Sequence, residues 1–149
     1  MLTFITQLPA DKPIAGVHCV PVLDNGDIVM VWDREEKGLT TIGGRLEKGE
    51  TIDEGLKREA MEEAGILLEE SKIPFASWYW ENTQTYTVWF LTKVKAFTKI
   101  PSGYEKTGYV IMNVQTAIEI ITKLEGIGER VEIIRRAGIL TGQLEKEEI

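Results

Sequence analysis

The sequence predicts an α/β fold in which a mixed central sheet is covered by helices on both faces. Two observations predict it: segments of strand composition stand on both sides of one strongly marked helix, and two further helical segments follow near the end of the chain. Strands and helices in this order are typical of layered folds that bury both faces of a sheet. The length of 149 residues suits one domain, so we expect a single domain over 1–149.

The strands are predicted from short apolar runs bounded by turn residues. Asn25-Gly26 is a strong hairpin signal between the first two of them. Residues 34–43 are predicted to form a polar loop, and the charged tail 144–149 is expected to fray. The predicted strands are 17–23, 27–32, 78–80, 86–94 and 109–112, and the predicted helices are about 52–64, a segment from Asn113 to the glycine at 126, and about 129–137, ended by Gly138.

The helix predicted over 52–64 has the clearest local signals. Thr51 and Glu54 have the spacing of a capping box, and Gly65 falls where a left-handed C-terminal cap is expected. Apolar residues recur every four positions and indicate the face that packs on the sheet: Ile52, Leu56 and Ala60.

Three carboxylates follow one another on this helix at i, i+3 and i+4, namely Glu59, Glu62 and Glu63. Side chains with this spacing are surface neighbours on a helix, and carboxylates so placed repel one another unless a cation lies among them. Hard divalent ions such as Mg²⁺ or Mn²⁺ prefer oxygen ligands of this kind and are often completed by substrate phosphates. Because Gly43-Gly44 just ahead of the helix permits close approach of main chain to a ligand, the stretch predicts a metal site for phosphate chemistry.

The same stretch follows the spacing of a known motif. From Gly44, five residues lead to Glu50 and seven more to Arg58-Glu59, after which come Glu62-Glu63 and Gly65-Ile66. The run Gly44–Ile66 therefore resembles a complete Nudix box, the motif of the Nudix hydrolase family with its MutT-like members. The resemblance implies a Nudix-type α/β/α sandwich. It also implies a Mg²⁺-dependent pyrophosphohydrolase that cleaves a nucleoside diphosphate linked to another moiety, such as a nucleoside triphosphate.

The resemblance further implies which residues hold the metal and which assist. Glu59, Glu62 and Glu63 would be ligands, with the Gly44 carbonyl as a further one. Arg58 would orient the acids by pairing with Glu50 or Glu62. Glu105 lies in a loop where Nudix relatives often carry an extra acid, and it competes with Glu62 for the role of general base.

The substrate side is predicted from aromatic and basic residues. Trp78 and Trp80 alternate along a strand and share one face, which makes them the first candidates for a nucleobase platform. Arg34 and Arg45 flank the paired glycines and are candidates for phosphate contacts. Nudix relatives commonly carry a Trp and a Pro just before those glycines, where this chain has Leu39 and Ile42, so the substrate itself is not predicted.

Charge and composition exclude some partners and leave other function classes open. A formal net charge of −7 argues against binding long nucleic acid, and no apolar run approaches a membrane span. With one cysteine, Cys19, and no basic leader, we expect a cytoplasmic protein. His18, the only histidine, is interpreted as structural because it lies in an alternating strand.

Two alternatives to an enzyme remain at this point: a catalytically silent Nudix-like domain that senses a nucleotide, and an interaction protein whose acidic helix is mere surface. A homodimer also remains open. Four exposed-looking apolar residues would pack either a dimer contact or a core: Ile133, Ile134, Ile139 and Leu140.

Overall fold

One mixed sheet forms the centre of the protein in the computed structural model, which describes residues 1–104 and 106–145. Within this part of the chain the strands are β1 (Leu2–Phe4), β2 (Ile14–Val22), β3 (Ile28–Asp33), β4 (Gly38–Thr40), β5 (Ile42–Arg45), β6 (Ile66–Trp80), β7 (Thr85–Phe97) and β8 (Lys106–Met112). The helices are α1 (Ile52–Ala64), α2 (Val114–Glu125) and α3 (Glu129–Leu140).

The sheet opens where β2 and β3 part. The strand order is β1-β6-β7-β2-β3-β4, with β2 and β7 parallel, while β5 pairs with β2 and β8 pairs with β3. The register joins β2 to β3 only at Val22 and Ile28, and each strand then takes a different partner. This divergence gives β2 room to carry the short strand β5, which leads into α1.

Alternation along the strands divides the core into two layers. Val17 and Val29 pack with Leu56 and Ala60 of α1 on one face of the sheet. The opposite face is covered by α2 and α3 through a second buried cluster that includes Val20, Met30, Phe75, Ile121 and Ile134. The predicted mixed sheet with helices on two faces is therefore confirmed.

The local signals of α1 are confirmed to the residue. Thr51 accepts from the backbone of Glu54, whose carboxylate in turn accepts from the Thr51 backbone, which completes the capping box. Gly65 ends the helix in the left-handed conformation at φ 63°. Asn113 caps α2 as predicted, through the backbone N–H of Thr116.

Several other boundaries were predicted wrongly. The segment 34–43 is not all loop, because β4 and the first half of β5 lie in it, and β1 was missed. Strand β6 begins at Ile66 rather than at Trp78. Its early part was not recognised because the polar residues 69–72 and register shifts against β7 interrupt it. Those shifts break the alternation by which a strand is recognised.

Helix α3 also differs from its prediction, since it continues through Gly138 to Leu140. Gly138 serves close packing rather than termination, because a Cβ there would lie 2.7 Å from Val114 Cγ1 and 2.8 Å from Leu144.

Leu144 was expected to fray but packs against the core, whereas 146–149 lie outside the described residues. Ile133 and Ile134 are buried, so of the four apolar residues considered for a dimer only Leu140 is well exposed and Ile139 is half-buried.

None of the described helices has the length and apolar character needed to cross a membrane.

Thr40 is expected to be a position where an apolar residue improves stability. Its side chain is 7% exposed, and its Oγ1 has no hydrogen-bond partner among the described residues. Because a buried hydroxyl without a partner costs about 1–3 kcal/mol, Thr40→Val should raise the free energy of unfolding by about 1 kcal/mol. Urea denaturation checks this, and a lower midpoint than in the parent protein would contradict it.

Candidate active site

The paired glycines of β5 lie directly against the acidic face of α1. In the antiparallel ladder Gly43 is opposite His18 and Gly44 is opposite Val17. The Gly43 N–H donates to Glu63 Oε2 at 3.2 Å. A Cβ at Gly44 would lie 3.0 Å from Glu59 Oε1, so the absence of a side chain lets this carboxylate lie directly against the strand. The strand thus fixes two of the three predicted metal-binding carboxylates relative to the backbone.

Arg58 is the hub of the charged groups on this face. Its Nε and Nη2 donate to the two carboxylate oxygens of Glu50 at 2.7 and 3.0 Å, a bidentate pair. Nη1 donates to Glu59 Oε1 at 2.7 Å and to Glu62 Oε2 at 3.3 Å. Nη2 also donates to the carbonyl of Arg45 at 3.1 Å, which connects the helix to the end of β5. Arg58 therefore contacts both of the partners considered for it, and Glu59 as well.

The local electrostatics separate the carboxyl groups. The hydrogen bonds from the Arg58 guanidinium lower the pKa of Glu50 below its usual range. Burial raises the pKa of Glu62, with the neighbouring charge of Glu59 adding to the effect and Arg58 opposing it. Because a general base works best with a pKa moved toward neutrality, the direction of the Glu62 shift suits proton transfer.

The three predicted ligands are close in sequence but are not gathered into one cluster. Among residues 1–104 and 106–145, no group of three His, Cys, Asp or Glu side chains is arranged to hold a metal ion. Glu59 and Glu62 both turn toward Arg58 Nη1, while Glu63 is 3% exposed and turns toward Gly43. Glu59 and Glu62 turn toward the guanidinium because its positive charge offsets the repulsion between the two carboxylates.

The donor set nevertheless fits a hard divalent ion. Carboxylate oxygens from Glu59, Glu62 and Glu63, with a backbone carbonyl at Gly44, are ligands that Mg²⁺ accepts. Glu59 lies directly against Gly44, so one of these carboxylates and the backbone carbonyl are on adjacent groups. Glu105, the other predicted acid, lies outside the described residues.

A cavity of about 600 Å³ opens on the sheet face opposite α1. Trp78 and Trp80 line it together, with ring centroids 5.8 Å apart, so the two predicted aromatic residues share one surface. The turn between α2 and α3 closes one side. The remaining polar and aromatic lining includes His18, Asp33, Glu36, Thr41, Trp89 and Arg130.

The two predicted phosphate contacts are placed differently. Arg45 lines a smaller cavity of about 270 Å³, which shares Trp80 with the larger one. Arg34 lies exposed on the turn between β3 and β4 and lines neither cavity.

Sequence reasoning missed Thr41 and interpreted His18 as structural. Neighbouring residues of β2 point to opposite faces of the sheet, and Val17 packs toward α1, so His18 points to the cavity. The hydrogen bond to Thr41 holds its ring there. No local pattern marks Thr41, since its neighbours in space come from β2 and β7.

Arg58→Ala is expected to lower the free energy of unfolding by about 2 kcal/mol, because Glu50, Glu59 and Glu62 lose a partly buried partner and are left as neighbouring like charges. Arg34 provides the matched control, since it is exposed and should change stability by less than about 0.5 kcal/mol when replaced by alanine. Denaturation without added metal measures both, and equal effects would contradict the role of Arg58 as hub.

Comparisons with known proteins agree with this architecture. The family model of the NUDIX domain matches residues 12–132. A variant of the Bacillus subtilis pyrophosphohydrolase BsRppH is similar in structure, with a TM-score of 0.67, 18% identity, and coverage of 97% of this chain and 92% of that one. An Ap4A hydrolase complex from C. elegans has a TM-score of 0.63 at 14% identity and covers 87% of this chain and 99% of its own.

A MutT protein from Methanosarcina mazei has a TM-score of 0.57 at 16% identity, with coverage of 89% of this chain and 99% of that one. No curated protein matches the chain significantly in sequence. The family model spans most of the chain and includes the whole acidic helix and its glycines. The chain therefore belongs to the NUDIX domain family, whose members are hydrolases that act on phosphoanhydride bonds.

Proposed function

We propose that the protein is a Mg²⁺-dependent pyrophosphohydrolase that cleaves a nucleoside diphosphate linked to another moiety, either a nucleoside triphosphate or another derivative. The observation that carries the proposal is the acidic face of α1, with Glu59 and Glu63 set against the glycines of β5. Hydrolysis of a phosphoanhydride needs positive charge on the bridging oxygens and a group that accepts a proton. Both requirements are supported by residues on this face.

Glu59, Glu62 and Glu63 would hold the ion, together with the Gly44 carbonyl, and Mn²⁺ would serve as well as Mg²⁺. A divalent ion bound there supplies positive charge to the diphosphate and lowers the pKa of water. The contribution of Arg58 is to hold Glu59 and Glu62 in position through Nη1 while its other nitrogens fix Glu50 and the Arg45 carbonyl.

Two carboxylates remain rivals for the general base. Glu62 is supported by its raised pKa and by its place beside Glu59 on α1. The support for Glu105 as the general base comes from the sequence alone. Comparing the pH profiles of Glu62→Gln and Glu105→Gln discriminates between them, because loss of the base removes the acidic limb of the profile.

The large cavity is the proposed site for the nucleobase. Trp78 and Trp80 provide flat apolar surface, and a base stacked on an aromatic ring gains about 1–3 kcal/mol. The cavity is also lined by Asp33 and Glu36, which disfavour a polyphosphate there. We therefore assign the base to this cavity and the phosphates to the side of the glycines and Arg45, whose own small cavity holds no carboxylate.

The similar structures support the reaction class without selecting the substrate. Their names describe a pyrophosphohydrolase, an Ap4A hydrolase and a MutT protein, and they do not point to one common substrate. The small nucleotide derivatives implied by these names are the compounds to test first.

One observation favours a second function, that of a silent nucleotide sensor. Arg58 donates to both Glu59 and Glu62, so in this arrangement the guanidinium competes with a metal ion for two of the three ligands. A sensor of this kind would bind a nucleotide without releasing product.

The deciding experiment measures phosphate and pyrophosphate release from nucleoside triphosphates, ADP-ribose, dinucleoside polyphosphates and sugar nucleotides, with Mg²⁺ or Mn²⁺. Glu62→Gln is the inactive control, and Glu70→Gln is the matched control because Glu70 lies exposed on β6 and pairs with Lys57. Turnover that is lost only in the first variant supports the hydrolase. Nucleotide binding by calorimetry without product from any compound would support the sensor instead.

A further inference from the structure

Trp80 lies between the two cavities and forms part of the wall of each. It is the last residue of β6 and is 47% exposed, so packing alone fixes its side chain weakly. Its indole Nε1–H donates to Thr87 Oγ1 of β7 at 2.9 Å, and its ring lies beside that of Trp78. A hydrogen bond between strands therefore helps to set the orientation of the shared wall.

The strand register places this hydrogen bond between the tryptophans and Arg45. Arg45 pairs with Gly16 of β2, and Gly16 pairs with Thr87 on its other side. Thr87 pairs in turn with Trp78. Paired residues direct their side chains to the same face of a sheet, and neighbouring strands lie about 4.8 Å apart, so about 14 Å of sheet separates Arg45 from Trp78.

Gly16 gives the Thr87 hydroxyl its place in this row. A Cβ at residue 16 would lie 2.9 Å from Thr87 Oγ1, so the absence of a side chain lets the hydroxyl lie directly against β2. Both residues line the small cavity together with Trp80 and Arg45. The small cavity thus connects the tryptophan surface with Arg45 across the strand that carries this glycine.

The same hydrogen bond decides what Trp80 offers to a ligand. The indole N–H is the only donor of the ring, so Thr87 Oγ1 accepts from it. With this donor engaged, Trp80 contacts a ligand through its ring face. Stacking on such a face tolerates any nucleobase, because every base has a π-face.

We propose that Thr87 is a positioning residue that holds the Trp80 indole at the boundary of the two cavities, so that a nucleotide lies with its base on the indole face and its sugar over Gly16, toward Arg45. Trp80 then selects for a flat ring and not for a particular pattern of donors and acceptors. The identity of the ligand as a nucleotide rests on the proposed function, whereas the positioning of Trp80 by Thr87 does not.

The indole ¹H–¹⁵N signals of the full chain test the positioning without any ligand. The chain has four tryptophans, and Trp80→Phe identifies the signal of Trp80 by its absence. Thr87→Val keeps the size of the side chain but removes the oxygen, so the Trp80 indole proton should exchange faster with solvent. Thr87→Ser retains the hydroxyl and should keep the exchange rate of the parent protein.

Thr85→Val is the matched control, since it makes the same change two residues earlier on the same face of β7. The Thr85 hydroxyl hydrogen-bonds to Thr83 rather than to Trp80, so the exchange rate of the Trp80 indole proton should stay unchanged. An exchange rate that responds equally to Thr85→Val and Thr87→Val, or to neither, would overturn the proposal. Exchange in the parent protein as fast as in free tryptophan would overturn it too, whether or not any variant folds.

In the turnover assay, Thr87→Val should raise KM about fivefold and leave kcat within about twofold, because the ring is assigned to the base and not to the phosphates. Thr87→Ser should restore the KM of the parent protein. An unchanged KM beside a faster-exchanging indole would overturn the ligand contact of Trp80. If the parent protein binds nucleotides without turnover, the same fivefold change is expected in the Kd from calorimetry, so a failure of hydrolysis counts against the proposed function alone.

Discussion

Glu62→Gln and Glu63→Gln are each expected to lower turnover by about 10²–10⁴-fold, the range associated with loss of a catalytic carboxylate. Glutamine keeps the size of the side chain but removes the charge that holds a divalent ion. The fold should persist, because the amide oxygen at position 63 still accepts from the Gly43 N–H. Steady-state kinetics and a thermal melt on the same samples separate the two effects.

Glu54→Gln is the matched control for both substitutions, since it makes the same change on the same helix. Glu54 belongs to the capping box, in which a glutamine is also accepted, so activity and stability should both remain near those of the parent protein. Near-normal activity in both Glu62→Gln and Glu63→Gln would refute the assignment of the metal site to this helix face.

Gly43→Ala is expected to destabilise the protein by about 3–5 kcal/mol, among the largest effects of a single substitution. The residue has φ +153°, and an added Cβ would lie 2.2 Å from the Val17 carbonyl oxygen and 2.5 Å from His18 Cα. These are backbone atoms of the adjacent strand, so relief requires β5 to move away from β2. Urea denaturation measures the loss of unfolding free energy, and we expect the m-value to stay unchanged.

The control for this change is Gly108→Ala on β8, where an added Cβ meets nothing within 4 Å and no positive φ is required. Its effect should stay within about 0.5 kcal/mol. A Gly43→Ala protein as stable as this control would show that β5 is not held in the described register.

Local signals explain why α1 was predicted correctly and why its acidic face was found. The capping box, the C-terminal glycine and the spacing of Glu59, Glu62 and Glu63 all lie within one continuous stretch, so sequence reasoning needed no long-range contact. It predicted that Arg58 pairs with Glu50 or Glu62, but not that the same side chain would contact both and Glu59 as well.

The cavity shows the opposite case. Trp78 and Trp80 were paired correctly by alternation along one strand, but Thr41 and Trp89 meet His18 only through the pairing of β2 with β5 and β7. Such ladders depend on tertiary structure rather than on a periodic pattern. The strand β5, with two glycines in four residues, has little strand propensity and exists because β2 supplies its partner.

The parallel pairing of β2 with β7 has a consequence for the order of folding. Val17 is paired with Val88, about seventy residues further along the chain, and β2 also supplies the partner of the glycine strand. Contacts of such long sequence separation form late, because the entropy of closing the intervening loop is lost first. On the ribosome, the acidic helix and its glycine strand are therefore made well before β7, and β2, which carries the glycine strand, gains its parallel partner only when β7 emerges.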